Sequence, residues 1–300
     1  MGRKSNFTFQ DFCYGFITKN SFQFLKINFV CLKHPYSNMN KLKLNKIDTR
    51  APKNFKKEPS KKLLQQLQFR MEDLQNLMYA EGKHALLVIL QGMDAAGKDG
   101  AVKNVFDAVN PIGCKVYSFK KPTELEMKHD FLWRIHSKVP EKGMIHIFNR
   151  SHYEDVLIQR VHNWVDMAEV KRRFEHINAF EKLLVESGTL VLKFYLHVSP
   201  EEQLSRLNER ITDPTKNWKY NQQDLKEREY WNDYMAAYED VFLHCNAVPW
   251  HIVPADQNWY KELLIAQKVV AALEDLKMKY PRVEAGLIEQ TPATKKGKKQ

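Results

Sequence analysis

The chain has 300 residues, 43% of them hydrophobic, and 47 Lys and Arg against 36 Asp and Glu give a net charge of +11. That length and apolar content suffice for one substantial core, and the composition excludes collagen-like, coiled-coil and wholly disordered classes. The charge sits at the ends: residues 1–58 hold 12 Lys and Arg against 3 Asp and Glu, the last ten residues add four lysines, and 59–290 is left near −2. A generally basic nucleic-acid-binding body is therefore excluded, and the tails reach polyanions only as flexible arms.

The first 38 residues carry seven phenylalanines and five basic residues, with Asp11 their single acid. Lysines interrupt every apolar run and no stretch of about 18 apolar residues occurs, so no membrane span is expected. A targeting peptide would need a cleavage site that is not evident. We read Met39 as the natural start and residues 1–58 as a basic, partly disordered extension. Cys13, Cys31, Cys114 and Cys245 lie far apart without a C-x-x-C pair, which implies neither a zinc site nor a disulfide framework and fits a reducing cytoplasm.

After a Lys-rich linker to about Pro59, Leu63, Leu64, Leu67, Met71, Leu74, Leu77 and Met78 recur at helical spacing, with Ser60 placed to cap the start and Gly82 to end the segment. A continuous apolar run over 86–90 then predicts a buried parallel strand. It leads straight into Gly92-Met93-Asp94-Ala95-Ala96-Gly97-Lys98-Asp99-Gly100. Gly92, Gly97 and Lys98 fit G-x-x-x-x-G-K, where loop N–H groups and the next helix N-terminus surround phosphate oxygens and the lysine adds a point charge. The Ser or Thr that usually follows the lysine and holds Mg²⁺ is Asp99, so a metal needs another anchor, for which Asp94 is the candidate. The helix expected after the loop covers 101–109.

Further strands are expected at 114–119, 144–148, 189–197 and 249–253, and helices at 123–137, 166–187, 200–211, 222–244 and 257–279. Strands alternating with helices predict an α/β fold: a five-stranded, mostly parallel, doubly wound sheet with helices on both faces. Ligands in such sheets sit outside the carboxyl ends of the strands. Here those ends bring the phosphate loop, Lys120 and Lys121, the run Asn149-Arg150-Ser151-His152-Tyr153-Glu154-Asp155, and Pro254-Ala255-Asp256. Cations and carboxylates converging on one edge suit phosphoryl transfer, where catalysis is mostly positioning and charge neutralisation.

The loop block, His129-Asp130-Phe131-Leu132-Trp133-Arg134, Phe148 with the run 149–155, and Asn217-Trp218-Lys219 followed by Asp224-Leu225-Lys226-Glu227-Arg228 resemble, in order over roughly residues 50–280, the signature blocks of the polyphosphate kinase 2 family. The resemblance implies a P-loop kinase fold like that of thymidylate kinase, with a helical lid at about 205–230 inside a domain over 59–282 and a basic tail over 283–300. It further implies Mg²⁺, with Mn²⁺ as a substitute, phosphoryl exchange between inorganic polyphosphate and adenine or guanine nucleotides, and a homodimer or homotetramer. No membrane and no specific nucleic acid is expected as a partner.

Carried over by position, Asp94 becomes a metal-organising carboxylate, Lys98 a phosphate clamp and Arg150 a transition-state cation, which together form the expected catalytic set. Gly92, Ala95, Ala96, Gly97, Asp99, Gly100, Lys103, Lys120, Arg134, Asn149, Glu154, Arg206, Arg210, Lys216, Lys219 and Arg228 are expected to bind phosphate or nucleotide, and Asp94, Asn149 and Asp155 to bind metal. Many members have Asp where this chain has Asn149. That departure, with Glu154 where ADP-specific members tend to have Asn and Asp155 where they tend to have Arg, resembles the branch that phosphorylates both AMP and ADP.

Several of these residues also have plainer readings. Arg134 can be a solvated or ion-paired arginine, oriented by Asp130 four residues earlier; Arg206 and Arg210 can pair with Glu202 and Glu209 at the surface. His129 and His152 suit packing or substrate hydrogen bonding better than general-base catalysis, because a phosphate nucleophile is already ionised near neutral pH. The six tryptophans are read as core. An ATP-dependent nucleoside monophosphate kinase, and a non-catalytic nucleotide- or polyanion-binding protein, are the competing classes.

Overall fold

β1 (Ala85–Gln91) is buried along its whole length, as a central strand covered on both faces must be. In the computed structural model, which describes residues 42–282, it lies between β3 (Ile145–Asn149) and β4 (Thr189–His197), with β2 (Cys114–Ser118) and β5 (Trp250–Pro254) at the edges. The order is β2-β3-β1-β4-β5 and every neighbouring pair is parallel. The chain winds outward from β1 to β2, returns to β3, then crosses to β4. That reversal opens a crevice at the carboxyl ends of β1 and its neighbours. The expectations for residues 1–41, Met39 among them, and for the tail 283–300 lie outside the described residues.

Two helical layers enclose the sheet. α1 (Lys57–Glu81), α2 (Lys98–Val105) and α9 (Asn258–Asp275) pack together, while α4 (Ile158–Val161) and α5 (Met167–Glu186) pack with α8 (Trp231–His244). α3 (Trp133–His136), α6 (Pro200–Thr212) and α7 (Gln222–Lys226) lie in the connections. No helix among the described residues is long and apolar enough to cross a membrane, and Cys114 and Cys245 are free thiols.

Local chemistry explains where elements depart from the expected ranges. α1 starts at Lys57, with Lys56 as its N-cap, and Ser60 is a buried residue inside it. Pro59 fits the first turn, where its missing N–H has no intrahelical partner to lose. Gly82 ends the helix in the left-handed region (φ 64), as expected. α2 begins directly at Lys98 rather than at 101, and β3 and β5 are displaced by one residue from the expected 144–148 and 249–253.

The helix expected at 123–137 is mostly turns. Thr123 and Glu126 exchange side-chain and backbone hydrogen bonds (2.8 and 3.2 Å), but Asp130 Oδ1 then accepts from the Leu132 N–H (2.9 Å), an alternative to continuing a helix. Only four residues of α-helix follow. The helix expected at 222–244 is interrupted by a 3₁₀ segment, Glu227–Tyr230, where the Glu227 carboxylate accepts from Tyr234 (2.9 Å) and contacts His162 Nε2 (3.0 Å). Tryptophans also divide: Trp250 is buried, but Trp133, Trp164 and Trp218 are exposed.

Residues 42–52, read from sequence as part of a loose extension, are strapped over the ends of β4 and β5. His197 Nε2 lies 3.0 Å from the Leu44 carbonyl and 3.2 Å from that of Ile47, and the Ala51 N–H donates to Gln257 Oε1 (2.8 Å).

Candidate active site

The loop leaves β1 through Gly92, whose φ of 149° and whose closeness to β4 leave no room for a side chain: a Cβ would stand 2.9 Å from the Leu196 carbonyl oxygen. Gly92→Ala should lower stability by about 2 kcal/mol through backbone strain and overpacking. A thermal melt matching wild type would contradict the close approach. The loop then turns through Ala95, at a left-handed φ of 61°, and reaches Gly97 (φ 91), the N-cap of α2. The first N–H groups of α2 have no intrahelical acceptor, so Lys98, Asp99 and Gly100 present free donors at the positive end of its dipole.

Lys98 folds back over the loop, donating from Nζ to the carbonyls of Gly92 (2.6 Å) and Met93 (3.1 Å). Burial and the Arg150 charge lower its pKa, against the pull of Asp94, Glu154 and Asp99. An arriving polyanion would reverse that balance, so the site is built to gain electrostatically from one.

Arg150 follows β3 at a left-handed φ of 64°, with its N–H donating to the Leu90 carbonyl (3.1 Å). This tie between β3 and β1 holds a conformation that costs a non-glycine residue about 1–3 kcal/mol. Arg150 Nη2 donates to Asp94 Oδ1. Burial alone would raise the Asp94 carboxyl, but the charges of Arg150 and Lys98 outweigh it and hold the group below the ordinary aspartate value; Asp94 in turn raises the Arg150 guanidinium. Asp94, Arg150, Glu154, Glu227, Tyr234 and Tyr238 line one cleft.

The remaining expected residues separate into three groups. Around the loop, Ala96 is buried, Asn149 Nδ2 donates to Asp99 Oδ1 (2.7 Å), and Lys219 Nζ reaches Asp99 Oδ2 (3.4 Å). Arg210 pairs with Asp224 (2.5 Å) across the segment expected as a lid. Arg228 donates to Gln203 Oε1 (2.6 Å), and Gln203 Nε2 to the Asp94 carbonyl (2.9 Å), a relay from that segment to the phosphate loop.

A second group stands apart from the cleft. Lys103 and Lys120 are exposed on the surface, and Lys216 pairs with Glu209 (2.8 Å) and Asp213 (3.4 Å). His129 stacks on Trp133, whereas His152 is fully buried near Glu181 (3.4 Å).

The third group bonds within the protein. Arg206 donates to Glu202 (2.8 Å), as its plainer reading holds, but also to the carbonyls of Ala95 (3.1 Å) and Ala255 (2.7 Å), so its guanidinium lies behind the loop. Arg134 is buried, not solvated. It donates to the Lys120 carbonyl (2.8 Å), lies 3.7 Å from Asp155, and packs over Phe119. The expected orienter, Asp130, serves the Leu132 backbone instead. Asp155 accepts from Gln159 (2.5 Å), and burial pushes its pKa up to about 6 against Arg134 and Arg173.

Among the described residues no three His, Cys, Asp or Glu side chains are placed to enclose a metal ion. Of the three carboxylates that line the cleft, Glu227 is taken up by Tyr234 and His162, which leaves Asp94 and Glu154. Hard carboxylate oxygens, few in number and facing a phosphate cradle, suit a divalent cation that takes its other ligands from substrate phosphates and water. Asp155, spent on Gln159 and Arg134, is outside that donor set.

A glycine-bounded loop, a lysine folded over it and a carboxylate–arginine pair at the switch point of a parallel sheet are the parts of a P-loop phosphotransferase. The family model for Polyphosphate kinase 2 (PPK2) matches residues 54–281. The chain is 48% identical over 230 residues to the "AMP/ADP-polyphosphate phosphotransferase" of Meiothermus ruber, covering 76% of this chain and 86% of that protein. It is 43% identical over 254 residues to the "ADP-polyphosphate phosphotransferase" of Rhodopseudomonas palustris, covering 80% and 86%. The crystal structure of polyphosphate kinase 2 from Arthrobacter aurescens TC1 superposes with a TM-score of 0.78 at 43% identity, over 81% of this chain and 89% of that one. The chain belongs to the polyphosphate kinase 2 family.

Proposed function

We propose that the protein transfers the terminal phosphoryl group of inorganic polyphosphate to AMP and to ADP, giving ADP and ATP reversibly, with a divalent metal ion. The observation that carries this reading is the meeting of Asp94, Lys98 and Arg150 at the phosphate loop, within a chain whose family match spans 54–281. Its curated relatives are named for AMP/ADP and ADP phosphotransfer with polyphosphate.

The loop and the N-terminus of α2 bind phosphate oxygens, Lys98 clamps them, and Arg150 offsets the charge that builds as a nucleotide phosphate meets the transferred group. Asp94 sets the orientation of Arg150 and, with Glu154, would hold the metal, which neutralises phosphate charge when bound. The acceptor needs no general base, so no histidine enters the reaction. The segment 205–230 acts as a lid through Arg210, Lys219 and Arg228, excluding water from the reacting phosphates. Mg²⁺ as the ion, and a cytoplasmic homo-oligomer as the working form, belong to the same proposal.

Purified protein given Mg²⁺, long-chain polyphosphate and either AMP or ADP, with no ATP supplied, is expected to phosphorylate both acceptors, and EDTA to stop both reactions. Product from ADP alone would remove the dual-acceptor reading centred on Glu154. Product only when ATP is supplied as donor would turn the assignment to an ATP-dependent nucleoside monophosphate kinase.

A further inference from the structure

Behind the phosphate loop lies a side chain that no motif marks. Lys261 is fully buried on α9, and its Nζ donates to the Gly97 carbonyl (3.1 Å) and to Asn258 Oδ1 (2.8 Å). It sits so close to the loop that a Cβ on Gly97 would lie 2.3 Å from Nζ. Two neighbours do the same work on the preceding peptides: Arg206 Nη1 donates to the Ala95 carbonyl (3.1 Å) and Gln203 Nε2 to that of Asp94 (2.9 Å). Three carbonyls of the loop are thus held from the back by side chains of α6 and α9.

A trans peptide is planar, with its N–H pointing opposite to its carbonyl. The Gly97 carbonyl accepts from the Ala101 N–H of α2 (3.0 Å) as well as from Lys261, and holding it from both sides aims the Lys98 N–H the opposite way, out beyond the helix N-terminus, where the first turn of α2 leaves it without an intrahelical acceptor. A cation on the carbonyl also polarises the peptide, which strengthens the N–H as a donor.

We propose that Lys261 is a positioning residue of the phosphate cradle, its ammonium holding the Gly97–Lys98 peptide in the orientation that receives the phosphate chain. The inference rests on the reading of loop 92–100 as the phosphate site. Burying a lysine is costly unless its charge is used, and here the charge is spent on backbone carbonyl and amide oxygens rather than on a direct carboxylate pair.

The same placement makes the residue sensitive to pH. Burial, with the Arg206 charge, lowers the Lys261 pKa to about 8, against the opposing pull of Glu262 on its own helix and Glu202 on α6. From the other side Asn104 of α2 bonds Glu262 (2.8 Å), and Lys61 of α1 acts on that carboxylate. Below about pH 8 the ammonium is charged and grips the carbonyl; above it the charge is lost and the grip weakens.

The test compares the full-length wild type with Lys261→Gln and Lys261→Met, assayed with polyphosphate, AMP and Mg²⁺ from pH 6.5 to 9.5, with a thermal melt of each at pH 7. Wild-type kcat should fall as pH rises through about 8. Lys261→Met should lower kcat at pH 7 roughly 10-fold or more, by misplacing the reacting phosphate, with the KM for AMP little changed. Lys261→Gln, which retains a neutral donor, should fall between the two and lose the alkaline decline. Lys98 is present in all three proteins, so its own titration cancels from the comparison. Wild-type kcat in both variants, a reduced kcat with the alkaline decline unmoved, or a wild type with no decline near pH 8 would each overturn the proposal, the last needing no variant to fold. A wild type that makes no product from polyphosphate would instead overturn the reading of the cleft.

Discussion

Replacing Lys98 with methionine should lower the rate of polyphosphate-dependent nucleotide phosphorylation by roughly 10²-fold or more, the loss expected when a charged group aimed at the transferred phosphate is removed. The folded protein holds this ammonium against burial and against the Arg150 charge, with two loop carbonyls as its hydrogen-bond acceptors. Those carbonyls hold the side chain at the mouth of the loop, and an arriving phosphate offers a stronger, charged acceptor. Methionine keeps most of the volume and none of the charge, so thermal stability should change far less than rate. Equal losses of stability and activity would instead make Lys98 a structural clasp. Steady-state kinetics and a melt on one preparation decide between them.

Breaking the buried pair of Glu181 and Lys193 should have the largest effect on stability, about 3–5 kcal/mol for Glu181→Ala. Both side chains are fully buried and 2.7 Å apart. Lys193 donates further to Tyr153 Oη (2.7 Å) and to the Cys245 carbonyl (3.0 Å), while Tyr153 donates to Glu181 (2.6 Å). Removing the carboxylate strands an ammonium in the core, whereas Glu181→Leu combined with Lys193→Met removes both charges and should cost less than the single change. Burial works to raise the Glu181 carboxyl, but Lys193 and His152 outweigh it and hold it below the ordinary 4.5. Its contribution is therefore present above that value and lost as pH falls through the lower folded-state pKa. Urea unfolding at pH 7 and on acidification should show a wild-type acid loss that is smaller in the double variant. A single variant as stable as wild type would contradict the pair. Because Tyr153 stands three residues beyond Arg150, the variant should also lower kcat by loosening the turn that presents the arginine.

How much of this was legible in the sequence depends on the range over which each feature is decided. The run of β1, the glycines of the loop and Lys98 are local, and they appear where expected, as do α5, α6 and β4 to within a residue or so. The helix expected at 123–137 failed because Asp130 competes for the backbone with a short-range hydrogen bond that apolar spacing does not reveal. The break at Glu227–Tyr230 depends on His162, 65 residues away.

Site residues divide the same way. Asp94 and Arg150 come from separate strand ends; the family blocks implied a role for each, but their pairing emerges only in the fold. Arg206, expected to face phosphate, turns its guanidinium to the back of the loop, because the carbonyls of Ala95 and Ala255 meet it there. Gln203 and Lys261 were missed. For Lys261 the sequence holds only a weak signal, a lysine just before Leu263, Leu264 and Ile265 in a helix that also carries Lys268; its acceptor is 164 residues distant and only the fold joins them.

The most direct test follows the phosphorus itself. ³¹P NMR of wild type and of Arg150→Ala, each with Mg²⁺, polyphosphate and AMP and no ATP, records the polyphosphate lost and the nucleotide phosphates formed in one tube. The account predicts matched loss and gain in the wild type, and roughly 10²-fold slower transfer in the variant. Nucleotide phosphorylation without polyphosphate loss, or transfer at the wild-type rate by Arg150→Ala, would contradict it.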